Sequence, residues 1–313
     1  MSFSQLTKNE LARFMPSQPC CIRSELAAFL VFNGSLEKRS GKRACLSVLT
    51  EMPDTARKIV TLARKGLGAE TEVSVRRKER LQKNLTYLIR IIPYQSAVEV
   101  LADLALIEGE SFRPFWGIPW RLLATDCCRW SFLRGAFLAR GSLTDPEKSY
   151  HWEINIDDHY LGQDLLKLVE LQKVKAGLVE RRPGFIVYAK SADDIATLLA
   201  GMSAYSAVLA LENIRVVKDV RNTVNRQVNC ETANLDKTVA AALTQTMAIE
   251  RLESSGKLRT LPAKLRNLAE LRLEHPSASL RELGLLLDPP AGKSTVAHRM
   301  RRLVKIAEEL DSS

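Results

Sequence analysis

The residues best equipped for chemistry stand near the end of the chain. From Lys293 to Ala307 there are Lys293, Arg299, Arg301, Arg302 and Lys305, with His298 among them, Ser294 and Thr295 ahead, and no acid. Long cations and short hydroxyls in one segment suit phosphate oxygens and base edges. Gly292-Lys293-Ser294 resembles part of a phosphate-cradling loop, but the glycine required five residues earlier is Leu287 and prolines fill the loop. The six cysteines fall as the adjacent pairs Cys20-Cys21 and Cys127-Cys128, with Cys45 and Cys230 apart. With no C-x-x-C and no nearby ligand spacing, they are expected to be reduced, largely buried and free of metal. Glu153 and Asp157 could pass for an acid pair, yet alternating with His151 and Asn155 they fit an exposed sheet face. No catalytic residue and no cofactor follow from them.

The elements that must position the basic segment are helical. Pro262–Glu274 keeps an amphipathic pattern, and Ser279-Leu280-Arg281-Glu282 is a capping box that opens a second helix through Leu287. Gly284 sits inside that helix, a costly place for glycine unless another backbone approaches closely. Asp288-Pro289-Pro290-Ala291-Gly292 forces a turn. A third helix then starts at Ser294 or Thr295, with Val296, Met300 and Leu303 inward and the cations outward. That is the layout of a helix-turn-helix whose last helix enters the major groove.

Upstream, the chain repeats itself. Cys20–Leu36 aligns without a gap on Cys127–Leu143, and seven of seventeen positions are identical at a constant offset of 107. Chance would give roughly one. Two similar lobes are expected, each opened by a helix of small and apolar residues that closes on a glycine cap, Gly34 or Gly141. Ala27, Ala28, Gly135 and Ala136 are small enough for the two helices to meet.

Leu133–Gly141 (LRGAFLARG) resembles the LAGLIDADG motif of homing endonucleases, and Leu26–Gly34 is a looser copy. The resemblance implies that the two helices pack as the axis of a pseudo-dimer. It also implies that their last acidic positions would hold the catalytic metals. Those degenerate metal positions are Asn33 and Arg140, neither a carboxylate, so the helix pair is expected without the chemistry.

Periodicity orders each lobe as helix–strand–strand–helix–strand–strand–helix. In the first lobe the strands are Leu36–Arg39, Ala44–Thr50, Thr71–Arg76 and Leu85–Ile91, the last with Leu85, Tyr87, Ile89 and Ile91 inward. In the second they are the segment after Gly141, Tyr150–Asp157, Gly177–Arg182 and Phe185–Lys190. Ser111–Trp120, rich in proline and aromatics, connects the lobes. The face opposite the apolar residues carries Arg76, Lys78 and Arg90 in the first lobe, candidates for a secondary DNA contact. A helix from Tyr205 to about Val216, an Asn-rich polar stretch and a helix over Asp236–Leu252 complete the chain before the helix-turn-helix.

A net charge of +10 over 313 residues favours polyanions. No apolar run reaches the length of about eighteen that a membrane span needs, and the amino-terminal residues lack a signal-peptide core. The fold class is thus α+β: a two-lobed LAGLIDADG-like pseudo-dimer, 1–110 and 111–218, then a helical linker, 219–258, and a helix-turn-helix domain, 259–313. Arg134–Ile154, Val228–Lys237 and Leu261–Arg302 resemble the WhiA family of sporulation and cell-division regulators of Gram-positive bacteria. Arg140 departs from that family's usual glycine. The resemblance implies a cytoplasmic, nucleoid-associated regulator that binds double-stranded DNA and is not an enzyme. Its candidate protein partners are another transcription regulator or RNA polymerase. A scaffold localised by its helix-turn-helix, and an active endonuclease, are the alternatives.

Overall fold

The computed structural model describes residues 1–37, 44–77, 85–107 and 117–311. Its Cα atoms group into two units, Met1–Val217 and Lys218–Ser313. Helix α1 (Phe3–Arg13) opens the first, capped by the Ser2 hydroxyl, which accepts from the Gln5 N–H at 3.2 Å. Its buried stripe is Thr7, Leu11 and Ala12, too short and too polar to stand out as an apolar period.

The repeated segments form α2 (Pro19–Asn33) and α5 (Asp126–Arg140). Both are apolar nearly all round, the pattern of interior helices. Leu26, Ala27, Ala28 and Phe29 of one and Phe132, Leu133, Ala136 and Phe137 of the other have no exposed surface. Small residues set the spacing: a Cβ on Gly135 would lie 2.7 Å from the Glu25 carbonyl oxygen and 2.8 Å from the Ala28 Cβ. The Ser24 hydroxyl donates across the seam to the Cys128 carbonyl at 2.7 Å.

Each of these helices runs straight into a strand. The glycine cap expected at Gly34 and Gly141 is not left-handed: φ is −85° and −77°, extended backbone open to any residue. Glycine is needed there for space, since a Cβ would collide with the Leu30 carbonyl at Gly34 and with the Phe137 ring at Gly141.

Around this axis the first lobe adds β1 (Gly34–Glu37), β2 (Cys45–Thr50), α3 (Pro53–Leu67), β3 (Glu70–Arg77), β4 (Leu85–Ile92) and α4 (Ala97–Asp103). The second adds β5 (Gly141–Leu143), β6 (Trp152–Ile156), α6 (His159–Leu171), β7 (Gly177–Arg181), β8 (Gly184–Ala189) and α7 (Ala192–Gly201). The two antiparallel sheets have matching orders, β1-β2-β4-β3 and β5-β6-β8-β7. Ile89 and Ile91 face the helices, but Leu85 is 43 % exposed. Val73 and Val75, in register with Ile89 and Tyr87, are also exposed because β3 is an edge strand. Of the connector between the lobes, the described part packs on α6: Ile118 is buried and its N–H donates to the Asp164 carboxylate at 3.1 Å.

From Tyr205 to Ser254 the chain is one helix, α8, which runs through the Asn-rich part of the expected helical linker. The stretch contains no glycine or proline, and asparagine lowers helix propensity by only a few tenths of a kcal/mol per residue. Thr223, Thr238 and Thr244 each donate to the carbonyl four residues back, so no side chain there draws the backbone out of the helix.

The second unit has its own core. Ile249 and Leu252 of α8 pack with α9 (Ala263–Glu274), α10 (Leu280–Leu286) and α11 (Lys293–Asp311) through Leu268, Leu283, Val296, Met300 and Leu303. The capping box closes in both directions: the Glu282 N–H donates to the Ser279 hydroxyl at 3.3 Å, and the Ser279 N–H to the Glu282 carboxylate at 2.7 Å. Gly284 meets the backbone its position called for. The Ala291 N–H donates to its carbonyl at 2.8 Å, and a Cβ would strike the Ala291 carbonyl. No helix among the described residues is long and apolar enough to cross a membrane.

Candidate nucleic-acid interface

Helix α11 is held by Val296, Met300, Leu303 and Ala307, all buried. With about 100° between successive residues, Ser294, His298, Arg301 and Lys305 fall opposite that core, and Thr295, Arg299 and Arg302 lie along one flank. Lys293, Ser294, Thr295, His298, Arg301, Arg302 and Lys305 are exposed and Arg299 is half-buried. The Arg301 Nε donates to the Ala297 carbonyl at 3.3 Å. Arg301 and Lys305 also line a groove of about 460 Å³ whose far wall is Ala241, Thr244 and Gln245 of α8. The other six residues do not line that groove. The helix starts at Lys293, so Ser294 and Thr295 lie in its first turn, where free N–H groups and the helix dipole favour phosphate.

Asn33 and Arg140, expected as degenerate metal positions, also come together. At the ends of α2 and α5 the Arg140 Nε donates to the Asn33 Oδ1 at 2.9 Å, and its Nη1 is paired with the Asp157 carboxylate. The Asn33 amide donates to the Ala139 carbonyl at 3.3 Å and the Leu49 carbonyl at 3.2 Å. A guanidinium and an amide thus meet at the ends of the two helices. The cleft beside it, about 1250 Å³, is also lined by Lys8, Ser35, Thr50, Tyr87 and Ser142. Burial lowers the Lys8 pKa to about 8, and its Nζ lies 5.7 Å from the Phe137 ring centre.

On the first sheet, Arg90 is already engaged: its Nε donates to the Glu37 carboxylate at 2.8 Å and its Nη1 to the Ser74 hydroxyl at 3.1 Å. Arg76 is exposed on the edge strand, and Lys78 lies outside the described residues. On the second sheet, His151 Nε2 and Glu153 Oε2 are 2.9 Å apart, and Asp157 is held by Arg140. The two carboxylates have different partners and form no joint site.

Three family models match along the chain: the WhiA N-terminal LAGLIDADG-like domain over residues 19–107, the WhiA LAGLIDADG-like domain over 129–221, and the WhiA C-terminal HTH domain over 224–307. The chain belongs to the WhiA family. A "Probable cell division protein WhiA" of Alkaliphilus metalliredigens is 44 % identical over 98 % of both chains. Another, of Desulforamulus reducens, is 45 % identical over 100 % of this chain and 97 % of its own. A solved structure described as "full-length DUF199/WhiA from Thermatoga maritima" superposes with a TM-score of 0.60 at 27 % identity, covering 99 % of each chain.

Two side-chain clusters in this WhiA-family chain escaped the sequence. Glu25 on α2 is fully buried and bridges Lys58 of α3, at 2.7 Å, to Arg134 of α5, at 3.2 Å. Lys58 also donates to the Leu11 and Phe14 carbonyls and Arg134 to the Met202 carbonyl, while the Arg134 guanidinium lies 4.4 Å from the Phe14 ring centre. Burial lowers the Lys58 pKa to about 8 although Glu25 opposes the shift. Buried charges persist only with such partners. The available signal was a charge in each interior helix, Glu25 opposite Phe132 in the repeat and Arg134 opposite Ala27.

The second cluster corrects the reading of the cysteines. Cys20 and Cys127 are exposed, Cys21 and Cys128 are buried, and the four sulfurs lie within 4.8 Å of one another. Ligand spacing along the chain could not reveal this, because the constant offset brings the pairs together only once α2 and α5 lie side by side.

Proposed function

We propose that this chain is a sequence-specific DNA-binding transcriptional regulator, acting in cell division and chromosome segregation or in sporulation, on a core that has lost nuclease chemistry. The observation that carries the reading is the basic stretch Lys293–Lys305 of α11, which contains no acid, on a helix locked by its own buried core. Lys293, Ser294, Thr295, His298, Arg299 and Arg302 are assigned to DNA, and residues 259–313 are assigned as the DNA-reading part. Arg301 and Lys305 then serve as phosphate contacts close to α8. Arg76 is assigned a secondary, sequence-independent contact. The relatives, named as probable cell division proteins, support the link to cell division, and the Asn33–Arg140 pair supports the loss of metal-dependent cleavage. Such a regulator works at the nucleoid, with another transcription regulator or RNA polymerase as its protein partner.

A second reading, a partner-binding scaffold, draws on Val220, Val224, Val228 and Leu235 of α8, each more than half exposed. A genome-wide occupancy map of the crosslinked protein separates the two. Discrete peaks that vanish in an Arg299→Ala/Arg302→Ala variant are the expected result. Peaks that persist in the variant would mean that a partner brings the chain to DNA.

A further inference from the structure

We propose that Cys20, Cys21, Cys127 and Cys128 form a tetrathiolate site for one soft divalent cation, zinc by preference, which clamps together the amino-terminal ends of the two central helices.

The placement follows from the repeat. Pro19 and Asp126 are the first residues of α2 and α5, so each cysteine pair fills the second and third positions of its helix. Two helices packed along their length then present two sulfurs each to one point. A tetrahedral zinc with metal–sulfur bonds of about 2.3 Å requires sulfurs about 3.8 Å apart. Here the Cys20 and Cys21 sulfurs are 4.0 Å apart, and no pair of the four exceeds 4.8 Å. Closure needs an inward shift of about an ångström or less. The spacing admits a single ion and leaves no room for a multi-iron cluster.

The surroundings suit a site that becomes anionic. A divalent ion bound by four thiolates carries two net negative charges, and it would sit at the positive ends of two helix dipoles. Neither helix start is capped by a side-chain hydrogen bond, so first-turn N–H groups remain to stabilise the sulfurs. Binding forms up to four metal–sulfur bonds and releases the thiol protons to solvent, and no electrons move. Four sulfur donors select zinc over hard ions such as magnesium or calcium. The two exposed sulfurs, of Cys20 and Cys127, provide the entry path.

The test uses the full chain, reduced, stripped with a chelator and titrated with Co²⁺. The expected result is a thiolate-to-metal charge-transfer band with intense tetrahedral ligand-field bands. These should saturate at one ion per chain, disappear when zinc is added, and come with a higher Tm. Cys20→Ser/Cys127→Ser, at exposed positions, should lose the bands, and Cys230→Ser should keep them. Absence of the bands in the unmodified chain would overturn the proposal. So would bands that survive in the double variant, or protein trapped from cells with the two pairs joined as disulfides.

Discussion

At position 140 the chain holds a guanidinium where the resemblance to homing endonucleases implies a carboxylate. The effect is local: Arg140 is tied at once to Asn33 and Asp157, so the Asp157 carboxylate is already engaged by a guanidinium. Supercoiled plasmid incubated with the protein and Mg²⁺ or Mn²⁺ is therefore expected to stay intact. Nicking that tracks the protein and disappears in Asn33→Ala would contradict the assignment. The repeat made these two positions legible, because each is the last residue before a Gly-Ser-Leu exit. Glu25, Lys58 and Arg134 were not legible as a group. Nothing along the chain says that a glutamate on one interior helix will meet cations from two other elements.

At the scale of elements, the seam between α2 and α5 is set by the absence of side chains. Gly135→Leu would force a side chain into the space held by the Glu25 carbonyl and the Ala28 methyl. A loss of about 1–3 kcal/mol or more is expected, measured by urea unfolding followed with a probe in the first unit, such as Trp130 on α5. An unchanged midpoint would mean that the helices do not meet there. The order of elements in each lobe could be read in advance because helix and strand periods alternate cleanly and turns are marked by Gly, Pro and Asp. Helix α1 could not, since its buried face rests on Thr7, Leu11 and Ala12. The helical linker was legible but the continuity of α8 was not, since its asparagines can cap a new helix start, while the absence of glycine and proline leaves nothing to enforce one. Gly34 and Gly141 show a further limit. The residue type was informative, but the cause was crowding by Leu30 and Phe137 and not a left-handed turn.

For the molecule as a whole, the division is between a buried, repeat-built unit and a small helical unit with the basic helix proposed to read DNA. Composition alone indicated affinity for polyanions, since a surplus of ten positive charges raises encounter with any of them. Specificity needs more: a rigid helix whose side chains hold fixed positions, which the core of Val296, Met300 and Leu303 provides. The most direct measurement is selection from a library of randomised DNA duplexes with the full chain, followed by affinity and salt dependence on the winning sequence. One recurrent motif is expected. Arg299→Ala and Arg302→Ala should each weaken binding to it by about 1–3 kcal/mol where they meet bases, or flatten the salt dependence where they meet phosphates. A library that yields no motif, or one bound equally well by both variants, would contradict the assignment of α11 as the reading helix.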